Sequence, residues 1–250
     1  MSTYRIENCA GSAESARRAE LGGAYRVELC AGLPEGGTTP SYGEILTARR
    51  AISIKLNVII RPRSGDFLYT PIEVEAMLAD IRMAHELGAD GIVVGCLTAD
   101  GAVDKPLLRR FVEAAEGLPV TFHRAIDVCQ DRAQALEDII EAGCARVLTS
   151  GGAASAPEGA DAIAALVKQA ADRIIIMPGA GVTPENVADL ARKTGAREFH
   201  FSGRTAEPSP MRYRHEGVSM GGTVTIDEYA YLFTDPKKIR QAVEALQALE

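Results

Sequence analysis

Paired cysteines, long apolar runs and an excess of positive charge are all missing from this sequence. The five cysteines, Cys9, Cys30, Cys96, Cys129 and Cys144, are odd in number and widely spaced. No Cys-x-x-Cys pair occurs, which excludes a zinc ribbon and a thioredoxin-like motif. A disulfide framework does not suit a large cytosolic domain, so reduced thiols are expected. No apolar run approaches the ~20 residues of a membrane helix. The opening residues, Met-Ser-Thr-Tyr-Arg-Ile-Glu, lack the apolar stretch of a secretory signal, so a cytoplasmic location is expected. A net charge of −7 argues against a nucleic-acid partner, because phosphate contacts need a concentrated basic surface. His-Glu-x-x-His and a nucleophile elbow are absent. No lysine lies near the C-terminal end of a strand candidate, and Lys55 begins one, which excludes an ordinary Schiff-base aldolase.

What is present is alternation. Short β-rich runs cover Tyr4–Ala10, Arg26–Ala31, Lys55–Pro62, Gly91–Leu97, Pro119–Ala125, Arg146–Gly151, Arg173–Gly179 and Glu198–Gly203, and helical patterns separate them. Such alternation implies parallel strands with helical crossovers, and eight units close into a barrel. The fold class is therefore α/β, a (β/α)8 TIM barrel forming a single domain over 1–250, with the first strand paired to the eighth. An open doubly wound sheet is disfavoured, because Cys9-Ala10-Gly11-Ser12-Ala13-Glu14 lacks the Gly-x-Gly-x-x-Gly turn. Glycines at Leu21-Gly22-Gly23-Ala24, Gly88, Gly143 and Gly195 mark helix ends. Thr70-Pro71-Ile72-Glu73, Thr183-Pro184-Glu185 and Asp235-Pro236 mark helix starts. The last helix places Ile239, Val243, Leu246 and Leu249 on one stripe. An irregular loop is expected at about 204–226, beside the barrel mouth, as a functional lid or a floppy insertion.

Strand parity assigns side chains to the two faces. Val27, Leu29, Leu56, Val58, Ile60, Val120, Phe122, Phe199 and Phe201 suit the helices, as do Ile6 and Asn8 by position. That leaves Glu7, Cys9, Glu28, Cys30, Asn57, Ile59, Arg61, Thr121, His123, Ala125, His200 and Ser202 inside. A barrel filled only for stability would prefer Val, Ile and Leu there. Buried charges cost several kcal/mol unless paired. The inner set is either a closed ion network or a site. As a site, Glu7, Glu28, Arg61, His123 and His200 are the catalytic candidates, expected as one connected cluster with raised histidine pKa values.

The turns add an anion site. Gly151, Gly179, Gly181, Ser202 and Gly203 follow strands six, seven and eight, where such barrels bind phosphate. The same glycines also serve simply as tight βα turns. Arg61-Pro62-Arg63-Ser64-Gly65-Asp66-Phe67 and His123-Arg124-Ala125-Ile126-Asp127 bring arginines, a histidine and acids to the mouth, as ligands or as salt-bridged loops. Cys9 and Cys30 point inward near the ends of neighbouring strands, ~4.8 Å apart. Such thiols suit Cu(I) as metal ligands, although two cysteines alone read as inert core residues.

These segments together resemble the CutC family over nearly the whole chain. The resemblance is carried by Arg26-Val27-Glu28-Leu29-Cys30, Glu35-Gly36-Gly37-Thr38-Thr39-Pro40-Ser41 and Ile59-Ile60-Arg61-Pro62-Arg63-Ser64-Gly65-Asp66-Phe67. Thr121-Phe122-His123-Arg124-Ala125, Arg146-Val147-Leu148-Thr149-Ser150-Gly151, Glu198-Phe199-His200 and Ser209-Pro210-Met211-Arg212 extend it. The first-strand segment Ile6-Glu7-Asn8-Cys9-Ala10 departs from the usual Glu-Val-Cys but keeps the cysteine. The resemblance implies a β/α barrel, a cytoplasmic location and copper handling, with Cys9 and Cys30 as the thiols for copper, Cu(I). The alternative is an enzyme acting on a small phosphorylated or carboxylated metabolite by acid–base chemistry. The expected partner is accordingly a copper ion or a small anionic ligand, with no nucleic acid and no membrane. A homo-oligomer is left open.

Overall fold

Glycine stops the helices, and the strands follow from that. In the computed structural model, which describes residues 3–215, 217, 218, 220 and 226–250, Gly23, Gly88, Gly143 and Gly195 have φ of 91°, 82°, 91° and 74°. That left-handed geometry is costly for other residues, and it turns the chain sharply into the next strand. Strands β1 to β8 span Arg5–Ala10, Arg26–Leu29, Lys55–Ile59, Gly91–Val94, Val120–Phe122, Arg146–Thr149, Ile175–Pro178 and Glu198–Phe201. Helices α1 to α8 span Ala13–Gly22, Tyr42–Ala51, Pro71–Glu86, Lys105–Ala114, Arg132–Glu141, Ala160–Ala170, Val187–Thr194 and Pro236–Gln247. Thr70 and Glu73 form the expected reciprocal capping box at α3, and Asp235 caps α8. One start differs. Thr183 N–H donates to the Asn186 side chain (2.8 Å), so Thr183-Pro184 opens a turn and α7 begins at Val187.

The parallel strands run in the order β7-β6-β5-β4-β3-β2-β1-β8. The first and eighth are paired, Glu7 lying opposite His200. The ring is thus a nearly closed (β/α)8 barrel, with β7 beside β8 but joined to it by no ladder. Gly179 makes that approach feasible, since an added Cβ would stand 2.4 Å from Leu148 and 3.1 Å from His200. The main apolar core fills the layer between strands and helices, with Val27, Leu29, Leu56, Val58, Ile60, Phe122 and Phe199 facing outward into it. Inside the barrel Cys30, Ile59 and Val93 form a small apolar group. Ala125 lies in the outer core rather than inside, because the chain leaves β5 for a 3₁₀ turn at Arg124–Val128.

The segment after β8 is more ordered than expected. Arg204–Pro208 forms β9, antiparallel to β10 at Ala230–Thr234. This pair docks on α1, where Arg18 pairs with Glu207 and stacks over Phe233 at 4.5 Å. Residues 216, 219 and 221–225 of the expected loop lie outside the described residues. Asn8 ties the two parts together. Its side-chain amide donates to the carbonyls of Phe201 and Ser202 (both 2.9 Å) and its oxygen accepts from Thr234 Oγ1 (3.0 Å). The outward Asn8 thereby fixes where β8 ends and where the mouth begins.

Candidate functional site

The barrel interior is built in layers, and the lowest is an ion network. Arg26 pairs with Glu7 and, at 2.7 Å, with Glu198. Arg146 Nε meets the same Glu198 oxygen at 2.6 Å and its Nη1 donates to Thr121 Oγ1 (3.3 Å). All five side chains are buried. Burial would raise the Glu7 pKa, but Arg26, His200 and Arg146 outweigh it and hold Glu7 far below the usual carboxylate range. Arg26, Arg146 and Glu198 are absent from the candidates drawn from sequence. The signal was available, because each has inward parity with a named or buried position two residues further along its strand.

The next layer carries the thiols. Glu7 Oε1 lies 2.8 Å from His200 Nδ1, and His200 Nε2 lies 3.6 Å from Glu28 Oε2. Glu28 Oε2 is 3.5 Å from Cys30 Sγ, which is 3.9 Å from Cys9 Sγ. Cys9 is half-buried and Cys30 is buried. Thus Cys9, Glu28 and Cys30 offer three ligand atoms within 4.8 Å of one another, and Glu7, Glu28 and His200 form a second such group. Hydrogen bonding from Cys30 draws the Cys9 pKa well below its ordinary value against burial, with His200 and Arg204 assisting. The same contact, with burial, drives Cys30 upward. Burial raises Glu28 to about 8, with Cys9 and Glu7 adding to the rise and His200 opposing it. Burial alone would lower His200, but Glu28, Cys9 and Glu7 raise it well above its usual value. The arrangement stabilises one thiolate beside an imidazolium, and places His200 between two carboxyl groups that differ in proton affinity.

Arg61 and His123 stand apart from this chain of contacts, which corrects the expected single cluster. Among the described residues, no carboxylate pairs with Arg61. Its guanidinium donates to the carbonyls of Glu35 (3.2 Å), Gly37 (3.0 Å) and Gly65 (2.9 Å), so it holds the two loops of the mouth together. Gly36 has φ of 90°, and an added Cβ would approach Arg61 Nη1 at 3.2 Å, which accounts for glycine there. His123 also departs from expectation. Among the described residues no carboxylate pairs with it, and burial with the nearby Arg61 charge pushes its pKa down to about 3. Both residues, with Cys9, Glu28, Cys30, Phe67, His200 and Arg204, line a cavity of about 280 Å³ at the C-terminal end of the barrel.

The glycine turns divide. Gly181 and Ser202 line the cavity. Gly151, Gly179 and Gly203 do not. Gly151 N–H donates to Thr149 Oγ1 (2.9 Å), Gly179 N–H donates to the Thr149 carbonyl (2.9 Å), and Gly203 packs on Phe201 and Ile239. The turn after β6 does bind an anion, but the chain's own. Asp127 accepts from Thr149 Oγ1 (2.5 Å), Ser150 Oγ (2.9 Å), Arg124 Nε (2.8 Å) and the N–H groups of Ser150 (3.0 Å) and Gly152 (3.0 Å). Successive backbone N–H groups make such a nest, and removing its anion leaves them unpaired. Asp127→Ala is expected to lower the unfolding free energy by about 3 kcal/mol in urea denaturation. A loss below about 0.5 kcal/mol would show that water satisfies the turn equally well.

Residues 4–205 match the CutC family. A CutC-family protein of Bacteroides thetaiotaomicron is 55% identical over 249 residues, covering 99% of this chain and all of its own. A human protein named as a copper homeostasis protein cutC homolog is 47% identical over 237 residues, covering 95% of this chain and 87% of its own. A crystal structure from Streptococcus agalactiae, of a protein named for copper homeostasis as CutC and 36% identical, superposes with a TM-score of 0.77 over 80% of this chain and 98% of its own. The thiamine phosphate pyrophosphorylase of Pyrococcus furiosus, 12% identical with a TM-score of 0.62, shares the fold alone. With the family matched over most of its length and the relatives aligned almost end to end, this chain belongs to the CutC family.

Proposed function

We propose that this protein serves copper homeostasis in the cytoplasm by holding Cu(I) between Cys9 and Cys30. The observation that carries this reading is the 3.9 Å separation of the two sulfurs at the ends of adjacent strands. Two metal–sulfur bonds of ~2.3 Å each bridge that gap without moving the backbone. Sulfur ligands select Cu(I), and the thiolate is the binding form. The Glu28 carboxylate stands within 4.8 Å of both sulfurs as a third ligand atom. Calcium and magnesium prefer all-oxygen shells, which this set does not offer. The names of the relatives, human and streptococcal, point the same way. The test is a Cu(I) titration of the reduced protein against a competing chelator, with the Cys9→Ser/Cys30→Ser variant alongside. Tight binding by the parent alone supports the site, and equal affinity in the two proteins rejects it.

A further inference from the structure

The thiol pair accounts for part of the cavity lining and leaves Arg61, His123 and Arg204 without a task. A volume of about 280 Å³ is far beyond what an ion between two sulfurs needs, since ~10–15 Å³ holds a water molecule. Of that lining, His123 is 5% exposed and Arg61 is 6% exposed. The Ala125 N–H donates to His123 Nδ1 (3.2 Å), which makes Nδ1 the acceptor and leaves the ring proton on Nε2. His123 Nε2 is buried and has no hydrogen-bond partner, and Arg61 Nε is in the same condition. An unmade buried hydrogen bond costs ~1–3 kcal/mol, so these two donors of cavity-lining residues gain from an acceptor. Both groups lie against the Phe67 ring, His123 with centroids 4.9 Å apart and Arg61 with Cζ at 5.1 Å. The imidazole position is built into the backbone, because a Cβ at Gly95 would stand 2.3 Å from His123 Cε1. Arg204 lines the same cavity, and among the described residues no hydrogen bond or ion pair occupies its guanidinium.

We propose that the cavity is a binding site for a small organic oxyanion, a carboxylate or a phosphate ester, held by residues other than the copper ligands. The ligand's oxygens accept from Arg61 Nε and His123 Nε2 on a local side-chain movement, and its charge is met by Arg204 in the cavity wall. Arg61 is held rigid by its three carbonyl acceptors, so its remaining donor is preorganised. Because His123 stays neutral, it donates without bringing a second buried charge beside Arg61. This goes beyond the copper reading, and either can fail without the other.

The experiment is calorimetric titration of the metal-free, reduced protein with two series of probes. One series is carboxylates (acetate, pyruvate, oxalate, succinate), and the other is inorganic phosphate and glycerol phosphate, with chloride as the control. Binding by one series names the oxyanion. Arg204→Gln, at a half-buried position of the cavity lining, is expected to weaken that probe about 10-fold, the loss of one charge-assisted contact. His123→Gln is expected to do the same. Nitrogen-15 NMR of the His123 ring supplies a readout that does not depend on a folded variant, with the Nε2–H tautomer when free and a shift of that nitrogen on binding. No binding by either series, or a His123 nitrogen indifferent to a bound probe, would overturn the proposal.

Discussion

Glu198→Leu is expected to lower the unfolding free energy by about 3–5 kcal/mol, the usual penalty for removing one partner from a buried ion network. Glu198 faces Arg26 at 2.7 Å and Arg146 at 2.6 Å, and Arg5 reaches its other oxygen at 3.4 Å. Without it Arg26 still has its ion pair with Glu7, whereas Arg146 keeps the hydrogen bond to the Thr121 hydroxyl and the more distant attraction of Glu7. The Glu198→Leu/Arg146→Met protein is expected to recover much of the loss, since apolar replacement of both partners removes the unpaired charge. A drop below about 1 kcal/mol in urea denaturation would mean that the network contributes nothing beyond packing. Acid should reveal the same group. Burial raises the Glu198 pKa, but Arg26 and Arg146 outweigh it, so the folded value is depressed. A depressed carboxylate contributes stability above its unfolded pKa of ~4.3, lost as pH falls through the folded value. The parent should therefore lose stability on acidification below about pH 4, and Glu198→Leu should show a shallower slope there.

The second large effect is the loss of copper affinity. Structural four-ligand metal sites are worth ~10–16 kcal/mol, or roughly 3 kcal/mol per ligand, so deleting one thiol should weaken Cu(I) binding by about 100-fold. Cys9→Ser and Cys30→Ser should each show that loss, and the double variant should lose specific binding. The fold should persist, because neither residue belongs to the layer between strands and helices. Glu28→Gln discriminates further. Its carboxylate is the third ligand atom in reach, but a hard oxygen is a weaker partner for Cu(I), so its effect should be smaller than that of either thiol. An unchanged affinity in Cys30→Ser would mean that the buried sulfur is only a core residue.

The alternation of apolar strands and helical patterns was enough to read the barrel, because the helix-facing layer demands Val, Leu, Ile and Phe at every second strand position. Parity likewise brings Glu7, Cys9, Glu28, Cys30 and His200 to one side, since a pleated strand allows no other arrangement. Applied two residues earlier on β2 and β8, parity also reaches Arg26 and Glu198, which lie at the opposite ends of the strands from the mouth. Other features depend on contacts between distant segments. Asp127 fills the nest after β6 only because the 3₁₀ turn after β5 folds across to it. Arg61 spends its donors on loop carbonyls, which carry no sequence identity. The pairing of Arg204–Pro208 with Ala230–Thr234 spans more than twenty residues, with no two-residue hairpin turn to announce it.

The most direct measurement is X-ray absorption at the copper edge on the Cu(I)-loaded, reduced protein. Cu(I) held by Cys9 and Cys30 should show two sulfur scatterers at ~2.3 Å in its first shell, and these should vanish in Cys9→Ser/Cys30→Ser. A first shell of nitrogen and oxygen alone, or a spectrum unchanged by the double substitution, would contradict the thiol site.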